Sequence, residues 1–177
     1  MTTPWLLCSY RLPREPSRLR LAIWRRLKRI GAVPMHDGVW VLPADAKTRE
    51  DLEWLGQEIE ERGGSVLLWE AQSLTPGQDR VLLERFREDA DARYAAIAEA
   101  AEQLARATRR RKAGSLHEQA LQRLRVLERG LRLERRRDYF RAAGRERAEA
   151  AVRKSMDEIR SRAAAPRGAR RARAVGD

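Results

Sequence analysis

Residues 1–75 pass back and forth between short β-prone runs and helical stripes, and few architectures can follow that order. Trp5-Leu6-Leu7-Cys8-Ser9-Tyr10 is a short apolar run that reads as a buried strand. Leu12-Pro13-Arg14-Glu15-Pro16 is a rigid connector, after which Ser17 is a natural N-cap. Leu19, Ile23, Leu27 and Ile30 then share one helical face, and Gly31 supplies the glycine that ends the helix. Ala32–His36 and Val39–Leu42 flank Asp37-Gly38, a strong local signal for a β-hairpin; Pro34 confines the first arm to an edge or a bulge. A second helix is expected over Thr48–Arg62, with Leu52, Leu55 and Ile59 on one face and Gly63-Gly64 as its stop. Ser65–Trp69 reads as a fourth strand. The order β-α-β-β-α-β predicts a ferredoxin-like, split βαβ arrangement. Its sheet would be antiparallel and four-stranded, with both helices on one face and right-handed crossovers.

The second half has another period. Pro76-Gly77 marks the boundary, and neither proline nor glycine follows until Gly114. Leu83, Phe86, Ala90, Tyr94, Ile97, Ala101, Leu104 and Thr108 step by three and four, which predicts one helix about 50 Å long. Lys112-Ala113-Gly114-Ser115 reads as a helix-helix turn, and Leu116, Ala120, Leu124, Leu127 and Leu131 form the stripe of a second helix. The pair should pack as an antiparallel hairpin. Asp138-Tyr139-Phe140 and Gly144 interrupt it. A third helix is expected from about Arg145 to Arg162, with Ala148, Val152, Met156 and Ile159 inward. The expected class is therefore α+β, with a sheet domain over 1–75, a helical extension over 76–163 and a disordered basic tail over 164–177.

Charge narrows the partners. The formal net charge is +12; residues 1–75 carry 11 bases against 10 acids, while residues 76–177 carry 27 against 16. Of the bases, 34 are arginine and 4 lysine, a composition suited to forked contacts with phosphate or guanine. Nucleic acid is the first candidate partner and an anionic membrane surface the second. No apolar stretch approaches the ~20 residues that cross a bilayer, and the first residues lack the pattern of a signal peptide. A cytoplasmic protein is expected. Cys8 stands alone, so no internal disulfide forms, and its apolar strand favours an inert thiol. His36 and His117 show no partner spacing, and no Ser/His/Asp set, glycine-rich phosphate loop or paired carboxylates occur. No catalytic residue, metal or cofactor is expected.

The first helix carries the principal candidate site. Arg11 to Arg29 hold eight basic residues and one acid, Glu15. Arg18, Arg25 and Arg29 are spaced i, i+7, i+11 and share one face; with Arg14 and Lys28 they form a set for DNA contact. The competing reading is a solvated face that balances the acidic second helix, since residues 45–61 hold seven acids and two bases. Trp24 interrupts the polar face and is expected to flank the core or a partner domain rather than stack on a base. Arg11, Arg14, Ser17 and Arg18 cluster near the helix start, where free amides suit an oxyanion such as sulfate or a DNA phosphate. Arg106–Lys112 and the set Arg132, Arg135, Arg136, Arg137 and Arg141 are further basic clusters. They are expected to be separate contact points. A winged-helix reading of the helix and hairpin would need two preceding helices, and only a strand precedes them here.

Several segments resemble the N-terminal domain of ChrB, a family of regulators of bacterial chromate-resistance operons. They are Trp5-Leu6-Leu7, the run from Tyr10 to Arg20, Trp24-Arg25-Arg26-Leu27-Lys28-Arg29-Ile30-Gly31-Ala32 and Asp37-Gly38-Val39-Trp40-Val41-Leu42-Pro43. Arg137-Asp138-Tyr139-Phe140, with Gly144 and an alanine-rich helix, resembles the end of that domain. The likeness covers roughly residues 4–163. It implies DNA binding and chromate-responsive transcription, and with them chromate as a candidate oxyanion for the cluster of Arg11, Arg14, Ser17 and Arg18. The first half is also similar to the central domain of the phenylacetate-operon repressor and to small ferredoxin-like CRISPR-associated nucleases. Those nucleases carry a metal-binding aspartate at the end of the first strand; here that region reads Ser9-Tyr10-Arg11. Longer ChrB proteins carry a C-terminal domain that would begin where this chain ends. The expectation is a non-catalytic, DNA-binding transcriptional regulator acting as a homodimer on double-stranded DNA. The alternatives are an interaction protein that docks a partner on its helical hairpin and a degenerate metal-dependent nuclease. A sheet that binds RNA is a further variant, for which Trp5, Tyr10 and Trp69 are only a loose echo of the paired aromatics required.

Overall fold

The structure is a computed structural model that describes residues 3–14, 17–109 and 115–164. β1 (Pro4–Arg11), α1 (Ser17–Ile30), β2 (Val33–His36), β3 (Val39–Pro43), α2 (Ala46–Glu61) and β4 (Ser65–Gln72) come in the expected order. Three long helices follow, α3 (Pro76–Arg109), α4 (Ser115–Arg137) and α5 (Gly144–Ala164). The class is α+β. Strand order is β2-β3-β1-β4, and every neighbouring pair is antiparallel. The expected turn at Lys112–Ser115 falls largely, and the tail from Pro166 wholly, outside the described residues.

Two compact units divide the chain. Among the described residues, the first runs through β4 into α3 as far as Ala90 and regains Arg136–Ala142; the second holds the rest of α3 from Asp91, α4 as far as Arg135, and Ala143–Ala164.

In the sheet unit, strand alternation assigns side chains to two faces. Leu6, Cys8, Trp40 and Leu42 face α1 and α2, whose Leu19, Ile23, Leu27, Leu52, Leu55 and Ile59 close over them. Ile30 packs on this core half-buried. Both helices thus cover one face, as the split βαβ order requires. Each large side chain buried there stabilises the fold by about 1.5–3 kcal/mol. The opposite face turns Trp5, Val33 and Val41 toward Leu82 and Phe86 of α3. Tyr139 and Phe140 complete that second layer. Trp5 stacks on Phe86 at 5.6 Å between centroids, and Phe140 meets Phe86 edge-on at 5.4 Å. The segment expected only to interrupt the helices is therefore part of the sheet unit's core.

Helix ends are capped by side chains. Asp45 and Thr48 form a capping box at α2. Thr75 and Gln78 form another at α3, with reciprocal bonds of 3.3 Å. One residue on, the Asp79 carboxylate accepts from Trp5 Nε1 at 2.7 Å, from the Thr3 amide at 2.9 Å and from Ser73 Oγ at 3.1 Å. These donors tie the first turn of α3 to β1. Gly31 ends α1 at φ +83°, with the Ala32 amide donating back to Leu27 O at 3.0 Å. A Cβ there would lie 2.8 Å from Arg137 Cβ, so both the backbone angle and the close approach require glycine. Arg137 Nη1 and the Tyr139 hydroxyl donate to the last carbonyls of α1, Lys28 O and Ile30 O, at 2.6 and 2.7 Å.

The helical unit is a three-helix bundle. Arg93 of α3 meets Glu134 of α4, positions about equidistant in sequence from the 110–114 connection, as an antiparallel pair requires. Asp91 accepts from the Gly144 amide at 2.6 Å and Arg109 pairs with Glu158, so α5 returns parallel to α3. Tyr94, Ala98, Ala101, Ala105 and Thr108 are the buried positions of α3 in this unit, and Ile97 and Leu104 are half-buried. The seam is thus shifted by one residue from part of the expected stripe, toward small side chains that let helices approach closely. Ala120, Leu124 and Leu131 of α4 and Ala148, Val152, Met156 and Ile159 of α5 are buried as expected.

The two sheet edges differ. β2 carries Pro34 and a register irregularity between Pro34 and His36. β4 presents eight residues without proline, and no strand among the described residues pairs its outer side. Leu67 and Trp69 are 60% and 56% exposed on it. The five tryptophans divide cleanly: Trp5 and Trp40 are 2% and 4% exposed, whereas Trp24, Trp54 and Trp69 are 45%, 58% and 56% exposed.

Candidate nucleic-acid interface

Burial of Leu19, Ile23 and Leu27 fixes how α1 sits and thereby points its other faces to solvent. At ~100° per residue Arg18, Arg25 and Arg29 fall within roughly 40° of one another, and they lie about 10 and 6 Å apart along the axis. All three are exposed, as are Arg11, Arg14 and Arg20. None of these six has an ion-pair partner among the described residues. That observation weighs against a face merely balanced by α2. One basic residue of α1, Arg26, reaches across to α2, pairing with Glu58 at 2.6 Å, and Arg62 shares the same carboxylate. The arginine ridge keeps its charge.

Lys28 differs from its neighbours in the set. It is half-buried, lies 5.9 Å from the Trp40 ring centroid and reaches Asp89 of α3 at 3.4 Å. Its ammonium is occupied within the sheet unit, in contrast to Arg14, Arg18, Arg25 and Arg29. Of the oxyanion set, Arg11 ends β1, Arg14 lies in the connector and Arg18 in the first turn of α1, all exposed. Glu15, Pro16 and the Ser17 side chain lie outside the described residues.

An open groove of about 480 Å³ runs beside α1, lined by Tyr10, Arg20, Trp24, Pro34, His36 and Trp40 among others. Trp24 therefore lies on a wet aromatic surface instead of being sealed into the core. The sequence marked Trp24 as breaking the polar face, but the convergence of Tyr10 and Trp40 on the same groove depends on strand pairing.

The other basic clusters disperse. Arg106 pairs with Glu102 and Arg109 with Glu158, while Arg110–Lys112 lie outside the described residues. Arg132 and Arg135 belong to the helical unit; Arg136, Arg137 and Arg141 belong to the sheet unit, where Arg137 caps α1.

Cys8 is fully buried, and burial pushes its thiol up to about 12. Hydrogen bonds from Thr3 and Trp5 hold the Asp79 carboxyl below its ordinary range. His36 is exposed at the hairpin and His117 is buried in α4. Among the described residues no group of His, Cys, Asp or Glu is placed to hold a metal ion, and no helix is long and apolar enough to cross a membrane.

A family model described as "Protein ChrB, N-terminal" matches residues 20–165. Protein ChrB of Cupriavidus metallidurans is 32% identical over 92 residues, which cover 50% of this chain and 28% of that protein. The chain thus matches less than a third of its relative's length. No solved structure matches.

Proposed function

Because the chain belongs to the ChrB N-terminal family, we propose that it is a DNA-binding transcriptional regulator of the chromate-resistance type, acting by occupancy and not by catalysis. The observation that carries this reading is the α1 ridge. Arg18, Arg25 and Arg29 stand exposed on one face, with no acid among the described residues to neutralise them. Guanidinium groups so placed bind phosphates bidentately and release counterions, and that release supplies much of the affinity for DNA. Arg14 extends the ridge toward the helix start. A non-catalytic role is supported by Ser9-Tyr10-Arg11 at the end of β1, where the CRISPR-associated nucleases that this half resembles carry a metal-binding aspartate. The reading places the protein in the cytoplasm as a homodimer, because a symmetric operator is most simply read by a symmetric pair.

The test is a titration into the protein's own upstream DNA and into a random duplex at several salt concentrations, with and without chromate. The Arg18→Ala/Arg25→Ala/Arg29→Ala variant should bind more weakly, and its salt slope should fall by about 2.7, at ~0.9 for each phosphate the protein no longer neutralises. A variant with wild-type affinity and slope would sink the proposal. Release by chromate would make this chain a sensor as well as a binder. Cleavage of either duplex with magnesium or manganese would revive the nuclease alternative.

A further inference from the structure

The bundle brings together arginines that are scattered in the sequence. Arg125, Arg129 and Arg132 of α4 fall within about 60° of one another at ~100° per residue, and all three are exposed. Arg132 also lines a groove of about 390 Å³ between α4 and α5, whose other wall carries Arg153 and Arg160, both exposed; Arg125 and Arg129 continue the arginine face along α4 outside it. Its floor is apolar: Leu131, Val152 and Met156. Each row spans seven residues, so about 10.5 Å, and packed helices lie ~8–10 Å apart. None of the five arginines has an ion-pair partner among the described residues.

Their neighbours behave differently. Arg135 and Arg145 both pair with Glu149, and Arg109 and Arg162 both pair with Glu158. The acids that line the groove are Glu128, Glu149 and Asp157, and Glu149 is already taken. In the groove Arg132, Arg153 and Arg160 therefore face Glu128 and Asp157, and the excess is positive; Arg125 and Arg129 add to it along α4.

We propose that this α4–α5 groove, together with the arginine face that runs on along α4, is a second seat for the phosphodiester groups of a nucleic-acid backbone. The proposal rests on the nucleic-acid reading above and adds a binding surface that is independent of α1. Duplex DNA presents a phosphate on each strand every ~3.4 Å of axis, so a 10.5 Å row spans about three of them. Arginine, planar and forked, suits that target better than lysine. Such contacts carry no sequence information, so they raise affinity for any duplex equally.

The experiment uses the full chain and fluorescence anisotropy of a labelled duplex, with wild type, the α1 triple variant and Arg125→Gln/Arg129→Gln/Arg132→Gln/Arg153→Gln/Arg160→Gln. The α4 triple and the α5 pair are also made separately, so that a fold defect in the combined variant leaves two readable proteins. Thermal melts by circular dichroism establish which variants fold. The expected result is a salt slope lower by ~0.9 for each phosphate no longer neutralised, two or more units in all, with equal weakening on specific and random duplexes. Additivity with the α1 variant is expected as well. If the groove variants keep the wild-type slope while the α1 variant loses it, the groove is only solvated and the function reading stands. If inorganic phosphate binds saturably in calorimetry and the duplex slope does not move, the groove is a small-anion site and the proposal fails. If wild type binds no duplex, both readings fail together.

Discussion

At the scale of single residues, the molecule separates groups sealed into the sheet unit from groups left to water. Cys8 belongs to the first kind. Its thiol, ordinarily near 9.0, is pushed to about 12 by burial. The native state therefore keeps a proton that the unfolded chain releases, and stability from this group is full below pH 9 and lost as pH rises toward 12. Urea melts of wild type and Cys8→Ala should thus converge or cross between pH 7 and pH 10.5, with wild type losing more stability on the way up. A pH-independent difference between them would show that the thiol is not sealed. Asp79 works with the opposite sign. Its depressed carboxyl adds stability above the ordinary aspartate range and withdraws it as pH falls below. The spacing of Arg18, Arg25 and Arg29 was legible from the sequence, since a helical period is a local property. Lys28 was not separable from them, because the carboxylate that occupies it, Asp89, lies 61 residues away.

Among the elements, the two edge strands invite unequal fates. Pro34 and the irregularity beside it blunt β2, whereas β4 presents an outer row of amides and carbonyls that no strand among the described residues pairs. Antiparallel pairing of two β4 strands about Leu68 would oppose Leu67 of each copy to Trp69 of the other, on one face of a continuous sheet. Such aromatic–aliphatic cross-strand pairs add about 0.2–1 kcal/mol each. The homodimer is accordingly expected to form here. Leu67→Lys/Trp69→Lys should shift wild-type dimer to monomer in light scattering at tens of micromolar and leave the melting temperature nearly unchanged. A wild-type protein that is monomeric at every concentration would remove β4 as the interface. Element order, the hairpin at Asp37-Gly38 and the glycine stop of α1 were all readable in advance, because turns and caps are written in adjacent residues. The length of β4 was not. It was expected to end at Trp69 and runs to Gln72, because β1 pairs with it all along and a partner's length leaves no local trace.

For the whole molecule, the boundary between compact units is set by contacts that close over long sequence distances. Tyr139 and Phe140 return to the sheet unit beside Phe86, and to a periodic reading they are only a break between helices. The arginines of α4 and α5 are likewise joined by bundle packing. No sequence window contains both rows. The division of the tryptophans has an optical consequence. Trp5 and Trp40 should emit at short wavelength and resist acrylamide, while Trp24, Trp54 and Trp69 should emit to the red and quench readily. Only one of those three, Trp24, stands on the arginine helix. Comparing wild type with Trp24→Phe during a DNA titration then isolates the emission of a single ring. Dimming confined to that ring would mark α1 as the helix in contact, and dimming that persists in Trp24→Phe would direct attention elsewhere on the protein.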